Sequence, residues 1–125
     1  MTTQELKDRT MKIGLDVIAL CDRFPTAVAV KVIEKQIIRS ATSVGANYRA
    51  ALRGKSKPDF VAKLQTVLEE LDETQYWLEL SVKSKILLKS DVAPIWKEAE
   101  ELLKILTKTS ITTKKNIRTT KANKS

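Results

Sequence analysis

RSATSVGANYRAALRGKSKPDF, residues 39–60, decides how this chain folds. Its first half is built of Ser, Thr, Ala, Gly and Asn, the composition of a loop. Yet Val44, Tyr48 and Leu52 recur every four residues within it. Upstream, Val30, Ile33, Ile37 and Ala41 lead into them at three- and four-residue spacing, and Ala51 follows. That period is a helix with one apolar face. The sequence therefore predicts one helix from about Ala27 to Leu52, with Gly54 as a cap beyond its end.

Three further helices follow from the same period. Leu6, Ile13, Val17, Leu20 and Phe24 predict a first helix over about Thr3–Arg23, ended by Pro25. Ser56-x-x-Asp59 reads as a capping box with the shorter acid, and Pro58 suits a first helical turn. The third helix carries Phe60, Leu64, Val67, Leu71, Thr74, Leu78 and Val82 and is expected to run to about Leu88. Ser90 and Asp91 supply capping chemistry for a fourth, with Val92, Ile95, Ala99, Leu102 and Leu106 as its stripe. After Thr107 the pattern gives way to Thr, Lys and Asn, and residues 109–125 are expected to be disordered. Short loops between long amphipathic helices imply an all-α, antiparallel up-down-up-down four-helix bundle over residues 1–108 with a disordered basic C-terminal tail.

Composition agrees and excludes much chemistry. Only 3 Gly and 3 Pro punctuate 125 residues, which favours long helices over a many-turned β fold. No apolar run approaches the roughly 20 residues of a membrane span, and the N-terminus lacks a signal-peptide pattern. With one cysteine, Cys21, no internal disulfide forms, and a cytoplasmic location is the natural expectation. There is no histidine, so Ser–His and Cys–His nucleophile pairs are excluded and metal sites lose their usual ligands. Arg53–Ser56 echoes the end of a phosphate-binding loop but lacks the upstream glycine and strand. We expect no catalytic residues, no metal, no cofactor and no membrane contact.

The net charge is +8, yet six basic residues lie in Lys108–Ser125; the rest holds 17 basic residues against 15 acids. Within the folded part the charges segregate. Lys31 to Lys63 contains eight basic residues and two acids, whereas Glu69 to Glu79 contains five acids and no base. On a helical wheel, Lys31, Lys35, Arg39, Arg49 and Arg53 fall opposite the core stripe within roughly 80°. With Lys55 and Lys57 they form a candidate phosphate-binding row. Thr42 and Ala46 sit in the same arc, and Ser40, Gly45 and Asn47 flank it. Small flanking residues let a neighbouring helix approach closely. That neighbour is the first helix, the third helix or another subunit. Ser43 and Asn47 need partners if buried, and the acids Glu69, Glu70, Asp72 and Glu73 face them across the hairpin. Tyr76 and Leu80 fall opposite the third helix's core stripe, with Trp77 at its margin, and mark a candidate subunit contact. A shifted register would instead place Trp77 in the core.

ATSVGANYRAA (41–51) and SKPDFVAKLQTVLEELDETQYWLEL (56–80) resemble the bacterial four-helix-bundle proteins that include those encoded by intervening sequences in large-subunit ribosomal RNA genes. The resemblance runs from the first helix to the middle of the fourth. It implies an antiparallel bundle that assembles as a homopentamer. A more distant relative, the accessory variability protein of diversity-generating retroelements, binds nucleic acid and a reverse transcriptase. On this pattern Ser43, Gly45, Asn47, Glu70, Glu73, Trp77 and Glu79 take structural or assembly roles, and Ser43, Gly45, Asn47, Tyr76, Trp77 and Leu80 are the expected oligomer interface. No catalytic residue is implied.

Two functions compete. An oligomeric accessory protein would bind RNA or DNA through the basic row, sequence-blind because no aromatic platform interleaves it, and with a reverse transcriptase as one possible partner. A protein scaffold would instead use the row against the acidic stretch of the next subunit.

Overall fold

The computed structural model describes residues 1–124, and Ser125 lies outside the described residues. Four helices form: α1 (Thr3–Leu20), α2 (Val28–Leu52), α3 (Lys57–Lys83) and α4 (Lys89–Lys124). They pack in up-down-up-down order, α2 against α1 and α3, and α3 against α4. The α1–α4 side is the loosest seam. There the Arg9 guanidinium grips Glu98 with two hydrogen bonds, of 2.8 and 2.5 Å.

The helix ends follow local chemistry. Thr2 caps α1 in a full capping box with Glu5. Cys21–Arg23 tighten into a 3-10 turn before Pro25. Ser56 caps α3, its Oγ accepting from the Asp59 amide at 3.2 Å. Gly54 follows the cap residue Arg53 without a left-handed φ. Its use is close approach, since a Cβ there would stand 3.0 Å from the Ala51 carbonyl oxygen.

Two expected boundaries move. Helix α3 stops at Lys83, not Leu88. Lys85 turns into the left-handed region at φ 65°, and Ile86 N–H reaches back to the Ser81 carbonyl at 2.9 Å while Lys85 N–H reaches Val82 at 3.0 Å. This is a Schellman motif with lysine in the position glycine usually holds. It frees Leu87 to turn into the core, where it is buried. Helix α4 starts at Lys89, so Ser90 and Asp91 lie in its first turn.

The Lys/Thr-rich segment after 108 stands largely outside the bundle's packing but continues α4 as helix to Lys124, where the sequence reading expects disorder. The 3–4 spacing persists weakly through Leu106, Ser110, Thr113 and Ile117, which are buried or half-buried. The hydroxyls of Thr109, Thr113 and Thr119 donate to carbonyls four residues back. That bonding keeps the hydroxyls on the helix's own carbonyls, at a small cost to the helix.

The core follows the predicted stripes, although Phe24, Ile33, Phe60 and Val82 are only half-buried and Leu87 joins it. Ile13, Val17, Ile37, Ala41, Val44, Leu64, Val67, Leu71, Leu78, Ala99, Leu102 and Leu106 are at most 1% exposed. The small residues of α2 serve this packing. A Cβ on Gly45 would lie 3.0 Å from the Met11 Cα, so α1 and α2 cross backbone to backbone. On the other side Ser40 and Thr74, both fully buried, meet with their hydroxyl oxygens 3.0 Å apart across the α2–α3 seam. Ser43 and Asn47 do not reach the acids of α3. Ser43 donates to the Arg39 carbonyl and Asn47 to the Ser43 carbonyl, both within their own helix.

Candidate nucleic-acid interface

Helix α2 presents its outer face from Lys31 to Arg53, because its core stripe holds the opposite side. Lys31, Lys35, Arg39, Arg49 and Arg53 are all exposed, as are Lys55 and Lys57 in the turn into α3. The row is not continuous. Arg39, its central member, leans onto α3 and pairs with both Glu70 and Glu73. Glu73 also accepts the Trp77 indole N–H at 3.2 Å, so one carboxylate holds an arginine and an indole. Lys31 and Lys35 are left at one end and Arg49, Arg53, Lys55 and Lys57 at the other. Lys35 and Arg49 are separated by about 21 Å along the helix axis. Exposed Thr42 and Ala46 lie between.

The hairpin end is the stronger half. Arg49, Arg53, Lys55 and Lys57 have no ion pair among the described residues. Asp59, in the first turn of α3, is occupied: it accepts from Lys63 Nζ at 2.9 Å and from the Lys55 amide at 3.0 Å. The Lys63 hydrogen bond holds its carboxyl below the ordinary range, with the Lys55 amide assisting. The charge segregation in the sequence is thus partly spent inside the hairpin, through Arg39 and Lys63, and partly open at its tip.

Glu70 behaves differently. Burial holds its carboxyl above the ordinary value, outweighing the pull of Arg39. The folded chain therefore holds this proton more firmly than the unfolded one. Stability from this group is greatest below the ordinary value of 4.5 and declines as pH rises toward the raised folded value. Glu70→Gln is expected to match the parent near pH 4 and to melt higher than it at pH 7. Thermal melts at the two pH values check this, and a variant less stable at pH 7 contradicts it.

The residues expected at a subunit contact divide. Tyr76 is exposed and stacks edge-on against Trp77 with ring centroids 5.0 Å apart. Trp77, at the margin of a stripe that keeps its expected register, is half-buried against the core, and Leu80 is half-buried. Ser43, Gly45 and Asn47 are half-buried beside α1 and α3, with Gly45 engaged by α1. A second apolar face lies on α1. Met11, Leu15 and Ile18 line one side of α1 and are each more than half exposed. Their 3–4 spacing was the signal, hidden because the core stripe of the same helix has the same period.

No helix among the described residues is long and apolar enough to cross a membrane. Residues 3–108 match the family of 23S rRNA-intervening sequence proteins. The chain belongs to that family. No curated protein matches it. A crystal structure of a protein of unknown function from the S23 ribosomal protein family, from Bacteroides thetaiotaomicron VPI-5482, shares 32% identity with a TM-score of 0.78. The match covers 84% of this chain and 97% of that one. The family member described here therefore shares a bundle with a solved relative across nearly all of that relative's length, and its fold rests on more than helical periodicity.

Proposed function

We propose that this family member is a non-enzymatic, oligomeric accessory protein that binds RNA or DNA through its basic surface, with a polymerase such as a reverse transcriptase as a partner class. The observation that carries this reading is the exposed cluster Arg49, Arg53, Lys55 and Lys57 at the α2–α3 tip, which forms no ion pair among the described residues. Such a cluster neutralises neighbouring phosphates without reading bases, and assembly multiplies it. The test is fluorescence anisotropy with labelled single- and double-stranded RNA and DNA, titrated in salt. Replacing the four residues by glutamate is expected to weaken binding at least tenfold. It should also make the log–log salt dependence shallower by about 3 to 4, since each phosphate contact contributes roughly 0.9. Unchanged affinity and slope would remove the tip from the mechanism. A chain ending at Lys108 separates this surface from the basic end of α4.

The second reading is a protein scaffold, favoured by the exposed Met11, Leu15 and Ile18 stripe on α1. Apolar patches of that kind mark association surfaces. A Leu15→Asp variant that lowers oligomer mass, in a protein with no nucleic-acid affinity, would select it.

A further inference from the structure

At the far end of the bundle, the last turns of α3 and the first turns of α4 part to leave a cleft of about 480 Å³. Val82, Val92 and Ala93 line it together with Trp96, which is half-buried. The Trp96 indole N–H donates to Glu79 of α3 at 3.2 Å, which fixes the ring. Lys83, Lys89 and Lys97 complete the lining. All three are exposed, and none forms an ion pair among the described residues. Lysine stems lie along apolar surface while their ammonium groups stay in water. The result is an apolar cleft with three cations at its edge and one carboxylate already engaged by the indole.

We infer that this cleft binds a small amphipathic acid, with its hydrocarbon or aromatic body along Trp96 and its carboxylate among the three lysines. The volume falls within the roughly 300–1,000 Å³ typical of small-molecule sites. The lining spans little more than one turn of α3 (Glu79–Lys83) and about two and a half turns of α4 (Lys89–Lys97), too short a groove to seat a partner helix. The charge selects the ligand's sign: a cationic amphiphile would meet three ammonium groups, and a neutral one would leave them unused. This site lies at the opposite end of α3 from the α2–α3 tip and stands whether or not that tip binds nucleic acid.

The test titrates the full chain with decanoate and decyltrimethylammonium below their micelle concentrations and with decanol below its solubility limit. It follows the Trp96 indole N–H by nuclear magnetic resonance, with Trp77→Phe used to assign the two indole signals. Decanoate is expected to shift the Trp96 signal and to bind at least tenfold tighter than decanol. Exchanging Lys83, Lys89 and Lys97 for glutamate should reverse the preference toward the ammonium probe. Ala93→Phe should fill the cleft and weaken decanoate binding at least tenfold with an unchanged melting temperature. Equal affinity for decanoate and decanol would overturn the inference. So would a decanoate titration that leaves Trp96 unmoved, or a preference that survives the lysine exchange, an arm that stays informative if Ala93→Phe fails to fold.

Discussion

Gly45→Leu is expected to destabilise the bundle by about 3 kcal/mol, lowering the melting temperature by roughly 10–15 °C. The reason is backbone, not side chain. A Cβ on Gly45 would stand 3.0 Å from the Met11 Cα and 3.1 Å from its amide nitrogen. Neither atom can rotate away, so α1 as a whole must move, and with it Ile13 and Val17 in the core. Alanine at the same place separates two effects. It gains up to about 1 kcal/mol in helix propensity and loses more to the contact, so Gly45→Ala should still cost about 1 kcal/mol. Gly14, on the facing helix, is the internal control. Its Cβ would sit 3.3 Å from the Thr42 Cα and 3.4 Å from a Thr42 methyl group on an exposed residue, so part of the contact can yield. Gly14→Ala should change stability by less than about 1 kcal/mol in either direction. Chemical denaturation of the three variants checks the order. A Gly45→Leu protein as stable as the parent would mean that α1 does not lie against α2 at this point.

The α2 pattern shows what a sequence can reveal and where it stops. Apolar residues at three and four carried helical structure straight through RSATSVGANYRAA, and the structure buries Ala41, Val44, Tyr48 and Ala51 where that period puts them. The period also implied that small residues beside the stripe invite a close neighbour. It left the neighbour open because Gly45 and Ser40 lie on opposite flanks. Each flank has its own: α1 for Gly45, α3 for Ser40. The end of α3 was illegible for a related reason. Ile86, Leu87 and Leu88 extend an apolar run that looks helical, and only the left-handed turn at Lys85, a residue that rarely adopts it, breaks the run. The basic row was legible as charge but not as free charge. A wheel shows Arg39 on the outer face with its fellows, and cannot show that a long side chain reaches sideways to Glu70 and Glu73.

Ser40 carries the second large effect. Ser40→Leu is expected to cost about 2–3 kcal/mol, because the position is fully buried and faces Thr74 across the seam. The added methylenes must push α2 and α3 apart or force strained rotamers, and the protein interior is too dense to absorb them. Polarity contributes little to this loss. Ser40 can satisfy its hydroxyl on the Ile37 carbonyl at 3.2 Å, and Thr74 can satisfy its own on the Glu70 carbonyl at 2.8 Å. Ser40 accepts from Thr74 while its own proton can go to Ile37, so the pair at most replaces the one bond Thr74 could make to Glu70. Removing both hydroxyls together, as Ser40→Ala with Thr74→Val, should cost less than about 1.5 kcal/mol, since no polar group is left stranded. The pair should matter more for register. Arg39 adjoins Ser40, and Glu70 and Glu73 flank Thr74, so the hydroxyl contact and the ion pairs demand the same alignment of the two helices. Denaturant titrations of the single, double and leucine variants separate size from polarity. A double variant as unstable as Ser40→Leu would show that the buried hydroxyls, not the small side chain, hold this seam.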